Sequence, residues 1–320
     1  MINNYIKNCS LTLRLVILIV FLTPALPLLE GCSSFSTLSK TTKRITRNIK
    51  APDRNLKKKI GVAFFENKTS LVEQQVEENF LNYLVENLKK PCSELIMVKP
   101  GDAGYPDFLI DLPRQPSGLI DNFNLSKAGK RFGLNVIITG ALTNIRKNQQ
   151  ERGFWWFKKT DHYVQVEMSV AVYDTTTGAK LLDESLAHKI ETEDIEGDLS
   201  STANLISAPD LTSAFEHIAA GLGEQLCDAV IMQPWQGAIL SIDGDKIIIP
   251  AGINVGIKAG DVFYVYRNDD TIQGFEDQRF FVPGIKIGEI KIITVSPEQS
   301  EAVLLTGKNI VPGCSISPKH

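Results

Sequence analysis

The side chains best suited to chemistry are few, and their spacing does not suit it. The 320-residue chain carries four histidines, His162, His188, His217 and His320. None belongs to an H-E-x-x-H pattern, which would put two imidazoles on one helix face around a zinc ion. No G-x-S-x-G turn presents a serine nucleophile, and no glycine-rich loop followed by lysine offers its amides to a phosphate. The acidic run Glu191, Glu193, Asp194, Glu196 and Asp198 has the charge to attract calcium, but its spacing fits no EF-hand loop, so it reads as a solvated loop. Asp243 and Asp245 flank Gly244 as turn residues do. His217 falls in an amphipathic helical stretch, where a histidine at the edge of the core needs no ligand. The expectation is a protein that is not an enzyme and holds neither cofactor nor metal.

One cysteine is a candidate for covalent modification. An apolar run from Leu15 to Leu29 spans about 15 residues, short of the roughly 20 a helix needs to cross a bilayer. It contains Pro24 and Pro27, each of which would break a spanning helix. Lys7 and Arg14 precede it, as in an export signal. The run ends in Leu29-Glu30-Gly31-Cys32, which resembles the lipobox of bacterial lipoprotein signals, in which the cysteine receives the lipid. Glu30 departs from that pattern, whose residue at this place is usually small or apolar. The resemblance implies removal of residues 1–31 and acylation of Cys32. Ser33 carries no inner-membrane retention signal, which implies the periplasmic face of the outer membrane.

Composition narrows the class of protein. A hydrophobic content of 43 % with 22 % charged residues is that of a globular chain, and a net charge of −3 points to no nucleic-acid partner. The charge is uneven: Lys40, Lys43, Arg44, Arg47, Lys50, Arg54, Lys57, Lys58 and Lys59 are opposed only by Asp53. Residues 32–59 read as a basic tether with a coil reach on the order of 30 Å, able to lie along anionic membrane or cell-wall polymer.

Hydrophobic periodicity divides the chain from residue 60 onward. An apolar run at Ile60–Phe65 reads as a buried strand, and Leu71 to Leu88 recur at helical spacing with glutamates early and lysines late. A strand at Glu94–Val98 and a Pro- and Gly-rich loop to Gly118 follow. Next come a short helix stopped by Gly133, a strand at Val136–Ile145, a hairpin around Asp174–Gly178 and a last amphipathic helix. The order β-α-β-α-β-β-β-α over residues 60–233 predicts an α/β sandwich with helices mainly on one face. From 234 to 320, about five short strands between glycine turns predict a small all-β barrel, so the fold class is α+β. If the first three strands run the same way, Cys92 and Cys227 lie near the same end of neighbouring helices and can form a disulfide. Cys314 is then left free, or pairs with Cys227 instead.

One stretch resists a purely structural reading. Phe154, Trp155, Trp156 and Phe157 fall at a strand connection, flanked by Arg152, Lys158 and Lys159. They either fold back over their own sheet or enter a membrane interface or a partner's groove, the settings in which tryptophan is enriched.

The segments IGVAFFENKTS, GLNVIITGAL and VYDTTTGAKLL resemble the periplasmic α/β domain shared by three groups of proteins. These are curli-secretion channel lipoproteins, penicillin-binding-protein activator lipoproteins and the middle part of flagellar assembly protein T. GINVGIKAGDVFYVYR with IGEIKIITV resembles the C-terminal domain of flagellar assembly protein T. The resemblance implies a non-enzymatic envelope lipoprotein that docks to an assembly, flagellar or secretory, as a scaffold or assembly factor. The alternatives it leaves are a contact activator of a cell-wall synthase and a carbohydrate-binding barrel using Tyr264 and Tyr266. The aromatic segment is too short for a pair of membrane-spanning strands, so no pore is expected. The hairpin around Asp174–Gly178 is expected to expose an edge for strand addition. Mass spectrometry of protein extracted from the envelope is expected to show an acylated Cys32 at the N-terminus; an unmodified N-terminus at another residue overturns this.

Overall fold

A computed structural model describes residues 56–69, 76–156, 158–191, 208–268 and 270–319. The fold is mixed α+β. A six-stranded sheet contains β1 (Lys59–Val62), β2 (Glu66–Asn67), β3 (Ile96–Val98), β4 (Val136–Arg152), β5 (Lys159–Asp174) and β6 (Lys180–Glu191). Its order is β3-β1-β4-β5-β6, with β2 added alongside β4; β1 is parallel to both β3 and β4, and the β4-β5-β6 part is antiparallel. The two-residue strand β2 is an element the sequence pattern does not signal.

Alternation along the strands sorts their side chains between two faces. Val136 and Ile138 join Val166, Met168, Val170 and Val172 on one face, under α1 (Val76–Lys89) and α3 (Ala208–Ile231). Phe80, Leu84 and Leu88 of α1 and Phe215, Leu222 and Leu226 of α3 supply the helical half of that core. Ile137 and Tyr173 point the other way, into a smaller cluster with Leu109, Leu125 and Leu134 beneath α2 (Asn122–Arg131). Two helices therefore share one face and α2 takes the other. The start of α2 is set by Asp121, whose carboxylate accepts from the Asn124 amide at 3.0 Å. Its end is set by Gly133, whose φ of 69° lies where other residues are strained and which abuts the Pro250 carbonyl.

Cys92, just beyond α1, is bonded to Cys227 in α3, with Cα atoms 5.8 Å apart; Cys314 is a buried free thiol. The parallel run of β1, β3 and β4 sends α1 and α3 the same way, which brings the two cysteines together.

The second sheet runs in the order β7-β15-β10-β13-β14-β9-β8. Its strands are β7 (Gly237–Ala238), β8 (Ser241–Asp243), β9 (Lys246–Ile249), β10 (Val262–Tyr266), β13 (Lys286–Val295), β14 (Ser300–Gly307) and β15 (Ser315–Pro318). It is larger than the five strands expected. Its ends, β7 and β8, are successive pieces of one bent segment. The Ile239 amide donates to Cys314 O at 2.9 Å, and the next amide, Leu240, donates to Ile248 O at 2.8 Å. The sheet curls because one segment borders both of its flanks. Ile247, Phe263, Val265, Ile290, Ile292 and Ile316 fill its interior. Between β10 and β13 the chain makes a separate ribbon, β11 (Thr271–Gln273) with β12 (Arg279–Phe281).

The two sheets belong to one compact unit, Asp53–His320. The Asn135 side chain, 7 % exposed, accepts from the Lys59 amide at 2.9 Å and donates to the Gln236 carbonyl at 2.5 Å. The end of the basic run also sits on the fold. The Lys57 amide donates to Val255 O, and the Lys58 ammonium donates to the carbonyls of Val230 and Ile231, both at 2.8 Å. Those carbonyls end α3, where helical donors run out and positive charge is favoured.

The disulfide closes a loop across a sequence separation of 135. In the chain-entropy picture that constrains the unfolded chain by about 5 kcal/mol. Reduction, or Cys92→Ala with Cys227→Ala, is expected to lower unfolding stability by up to that amount in urea titrations with and without reductant; equal midpoints would show that it contributes nothing.

Candidate functional site

The longest strands of the molecule form an arm. β4 has 17 residues and β5 has 16, paired from Val136 with Asp174 out to Arg152 with Lys159. Among the described residues β6 accompanies β5 only as far as Tyr163, so the last residues of β4 and the first of β5, Asn148–Arg152 and Lys159–Tyr163, continue as a two-stranded ribbon. Val136–Leu142 is almost wholly buried, whereas Gln149–Arg152 is exposed. A register shift between Leu142 and Asn144 marks the transition, and there Thr143 Oγ1 donates to Glu167 O at 3.0 Å.

The strand expected to stop at Ile145 runs on to Arg152. Periodicity does not report this part because Arg146–Arg152 contains no apolar residue. The ribbon that projects beyond β6 is still only Asn148–Arg152 against Lys159–Tyr163, short of the roughly 9–11 residues of a spanning strand. Its composition also departs from a lipid-facing wall, which needs an outward apolar band. Among the described residues, no helix is long and apolar enough to cross a membrane.

At the tip, Phe154, Trp155 and Trp156 are 83 %, 71 % and 70 % exposed and do not fold back over the sheet. The two indoles stack, with centroids 4.3 Å apart and planes 23° from parallel. Trp155 has a φ of 55°, in the left-handed region that side-chain-bearing residues rarely adopt. Two cations beside the tip are paired: Arg152 lies 3.3 Å from Asp161 and Lys158 lies 2.9 Å from Glu151. Phe157 and Cys32 lie outside the described residues.

The Asp174–Gly178 turn itself is covered, although β6, the strand that leaves it, ends the sheet among the described residues. Asp174 and Thr175 are buried, and Gly178 takes a φ of 78°. The Thr177 carbonyl accepts from Phe281 of β12 at 2.8 Å. Asn122 Nδ2 donates to Gly178 O at 3.0 Å and to Arg279 O at 2.7 Å, which joins turn, helix and ribbon. Tyr264 has Lys286 Nζ 3.8 Å from its ring centroid, so a sugar stacking on that face would have to displace the lysine.

Among the described residues, no three His, Cys, Asp or Glu side chains gather as metal ligands would. The acidic run lies outside the described residues beyond Glu191. The fold does bring two histidines together: His188 of β6 and His217 of α3 stack at 4.8 Å, 9° from parallel. Neither sequence spacing nor type announces this pair, because it depends on where α3 crosses the sheet.

A cavity of about 510 Å³ also escapes the sequence reading. It lies among the last turn of α2, the bent segment after β7, the start of the β11–β12 ribbon and the loop before β15. Lys127, Lys130, Arg131 and Arg267 line it together with Phe123 and Phe281. The only sequence signal is the basic last turn of α2, which its helix dipole already accounts for.

No family model matches the chain, and no curated protein matches it. Three solved structures illustrate its similarity to known folds. PelC from Paraburkholderia phytofirmans, a dodecamer, is 11 % identical over 52 % of this chain and 88 % of its own, with a TM-score of 0.29. The hypothetical protein CT253 from Chlamydia trachomatis is 12 % identical over 54 % and 99 %, with a TM-score of 0.32. Lipoprotein GNA1162 from Neisseria meningitidis is 11 % identical over 53 % and 99 %, with a TM-score of 0.28. Likeness this distant carries no argument about what this chain does.

Burial lowers the pKa of His188, and the neighbouring His217 adds to the effect. The folded state thus favours the neutral ring, and its contribution is complete above the ordinary histidine pKa and lost as pH falls through it. Unfolding stability is expected to decline between about pH 7 and pH 5, and His188→Phe to flatten that decline. An unchanged pH profile in the variant would remove the pair from the explanation.

Proposed function

We propose that the protein is a lipid-anchored envelope protein that acts by docking and does no chemistry of its own. It serves as a scaffold or assembly factor for an envelope machine of the flagellar or secretion kind. Anchoring rests on the lipobox-like Leu29–Cys32 and the basic run behind it. The α/β and β segments resemble those of envelope lipoproteins and flagellar assembly protein T, and this favours the assembly role. The observation that carries the docking reading is the arm, a polar ribbon that raises Phe154, Trp155 and Trp156 into solvent clear of the helix-covered core.

Exposed tryptophans cost solubility and gain nothing for the fold, but they supply most of the energy when a partner's groove covers them. Below the tip, Arg146–Arg152 offers no apolar side chain to a lipid interface. A protein groove is therefore the better fit than a membrane surface. The polar ribbon acts as a spacer whose inter-strand hydrogen bonds keep it extended.

Trp155→Ala with Trp156→Ala is expected to leave the melting temperature unchanged and to reduce capture of partners after mild crosslinking in the native envelope. Each buried tryptophan is worth roughly 2–4 kcal/mol at an interface. Capture of flagellar or secretion components supports the assembly role, and capture of a cell-wall synthase supports a contact activator instead. If capture is unaffected, or the variant loses stability, the arm is not the docking element.

A further inference from the structure

The cavity beside α2 is lined by several cations, and one of them, Lys130, is buried with no hydrogen-bond acceptor. Its charged lining residues are Lys127, Lys130, Arg131 and Arg267, and among the described residues no aspartate or glutamate lines it. Three buried side-chain nitrogen or oxygen atoms among the described residues lack a hydrogen-bond partner. Two of them, Lys130 Nζ and Asn268 Nδ2, belong to residues lining this cavity. Both are donors. A buried ammonium without an acceptor is costly, and proteins seldom keep one without a use for it.

The nearby acids do not meet this need. Asp174 is the carboxylate that acts on Lys130, but its oxygens accept from the Thr176 and Thr177 amides and from Thr177 Oγ1. Asp270 is spent on Arg267, 3.7 Å away, in an exposed pair. Lys130 Nζ instead lies 3.6 Å from the centre of the Phe281 ring, a contact that steadies the charge and leaves its hydrogen-bonding capacity unspent. Burial brings the Lys130 pKa down to about 8, so the group is still mostly charged at neutral pH. A helix-dipole role explains basic residues in the last turn of α2, but such residues serve equally well in water. It does not explain why one is buried with no acceptor.

The remaining walls are apolar: Phe123, Ile239, Leu240 and Val311 among them. The volume falls within the roughly 300–1,000 Å³ typical of small-molecule sites. We propose that this cavity binds a small organic anion, its acidic group received by Lys130 and Asn268 and its apolar body covered by the walls. Because α2, the bent segment and the ribbon all contribute, the ligand would bridge the two sheets. The inference is independent of the arm.

The full-length protein in a non-ionic detergent is titrated calorimetrically with naphthalene-1-sulfonate and separately with naphthalene-1-sulfonamide, which keeps the rings and removes the charge. The sulfonate is expected to bind one site about tenfold more tightly, the equivalent of one charge-assisted hydrogen bond. In Lys130→Met, which keeps length and apolar bulk, the ratio is expected to fall to within about twofold while the melting temperature holds or rises, since an unanswered charge has been removed. Asn268→Leu is expected to weaken sulfonate binding about fivefold with the fold intact, and it decides the matter alone if Lys130→Met melts early. The proposal is overturned if the two probes bind alike to the unaltered protein, if neither saturates, or if the preference survives in the folded variants.

Discussion

The arrangement of this molecule depends on one buried carboxamide. Asn135 stands at the entrance to β4, with its side chain between the Lys59 amide of β1 and the Gln236 carbonyl that leads into the curled sheet. Its own amide donates to Lys59 O, and its carbonyl accepts from Thr175. A buried amide side chain is tolerated only when its donors and acceptor are matched, so the site accepts one placement of the three chain segments that meet there. That placement orients the second sheet against the first and brings the β11–β12 ribbon onto α2. The walls of the cavity follow from it.

Packing and exposure are divided along the long strands. At the base of the arm, where β4 begins and β5 ends, the two strands lie under α1 and α3, and Phe65, Phe80 and Phe215 meet edge to face at 5.4 and 5.5 Å. The disulfide holds these two helices together. Further along, the same strands leave the helices behind and keep only their hydrogen bonds to each other and, in part, to β6. A rigid base and a slender extension are thus made from the same two strands. The covered part supplies stability, and the uncovered part presents a surface that stability does not require.

Much of the core was readable because burial imposes a period. Phe80, Leu84 and Leu88 at helical spacing mark α1, and Phe263 and Val265 alternate as an inward-facing strand must. The pattern changes where α3 ends at Ile231 and β7 begins at Gly237. The distal arm was not readable, because a strand paired in water on both faces has no reason to alternate, and Arg146–Arg152 looks like loop. The aromatic cluster stood out by composition, but its exposure could not be settled without the strand lengths on either side. The cavity was least legible of all, since Lys130, Asn268 and Val311 come from distant stretches that only the docking of two sheets brings together. The cover over the turn at Asp174–Gly178 was illegible for the same reason: the local chemistry is that of an open hairpin, and the ribbon covering it comes from about a hundred residues further on.

The seating of Lys57–Lys59 bears on mechanics. A pull on the chain ahead of Leu56 would arrive at β1, an inner strand with parallel neighbours on both sides. Those ladders would be loaded along their length, so their bonds resist together and do not peel one at a time. Lys58 on the end of α3 and Lys59 on Glu298, 2.7 Å away, would spread the load into the helix and the second sheet before any strand slid. The point where the chain enters the fold is thus also where it is best braced against traction.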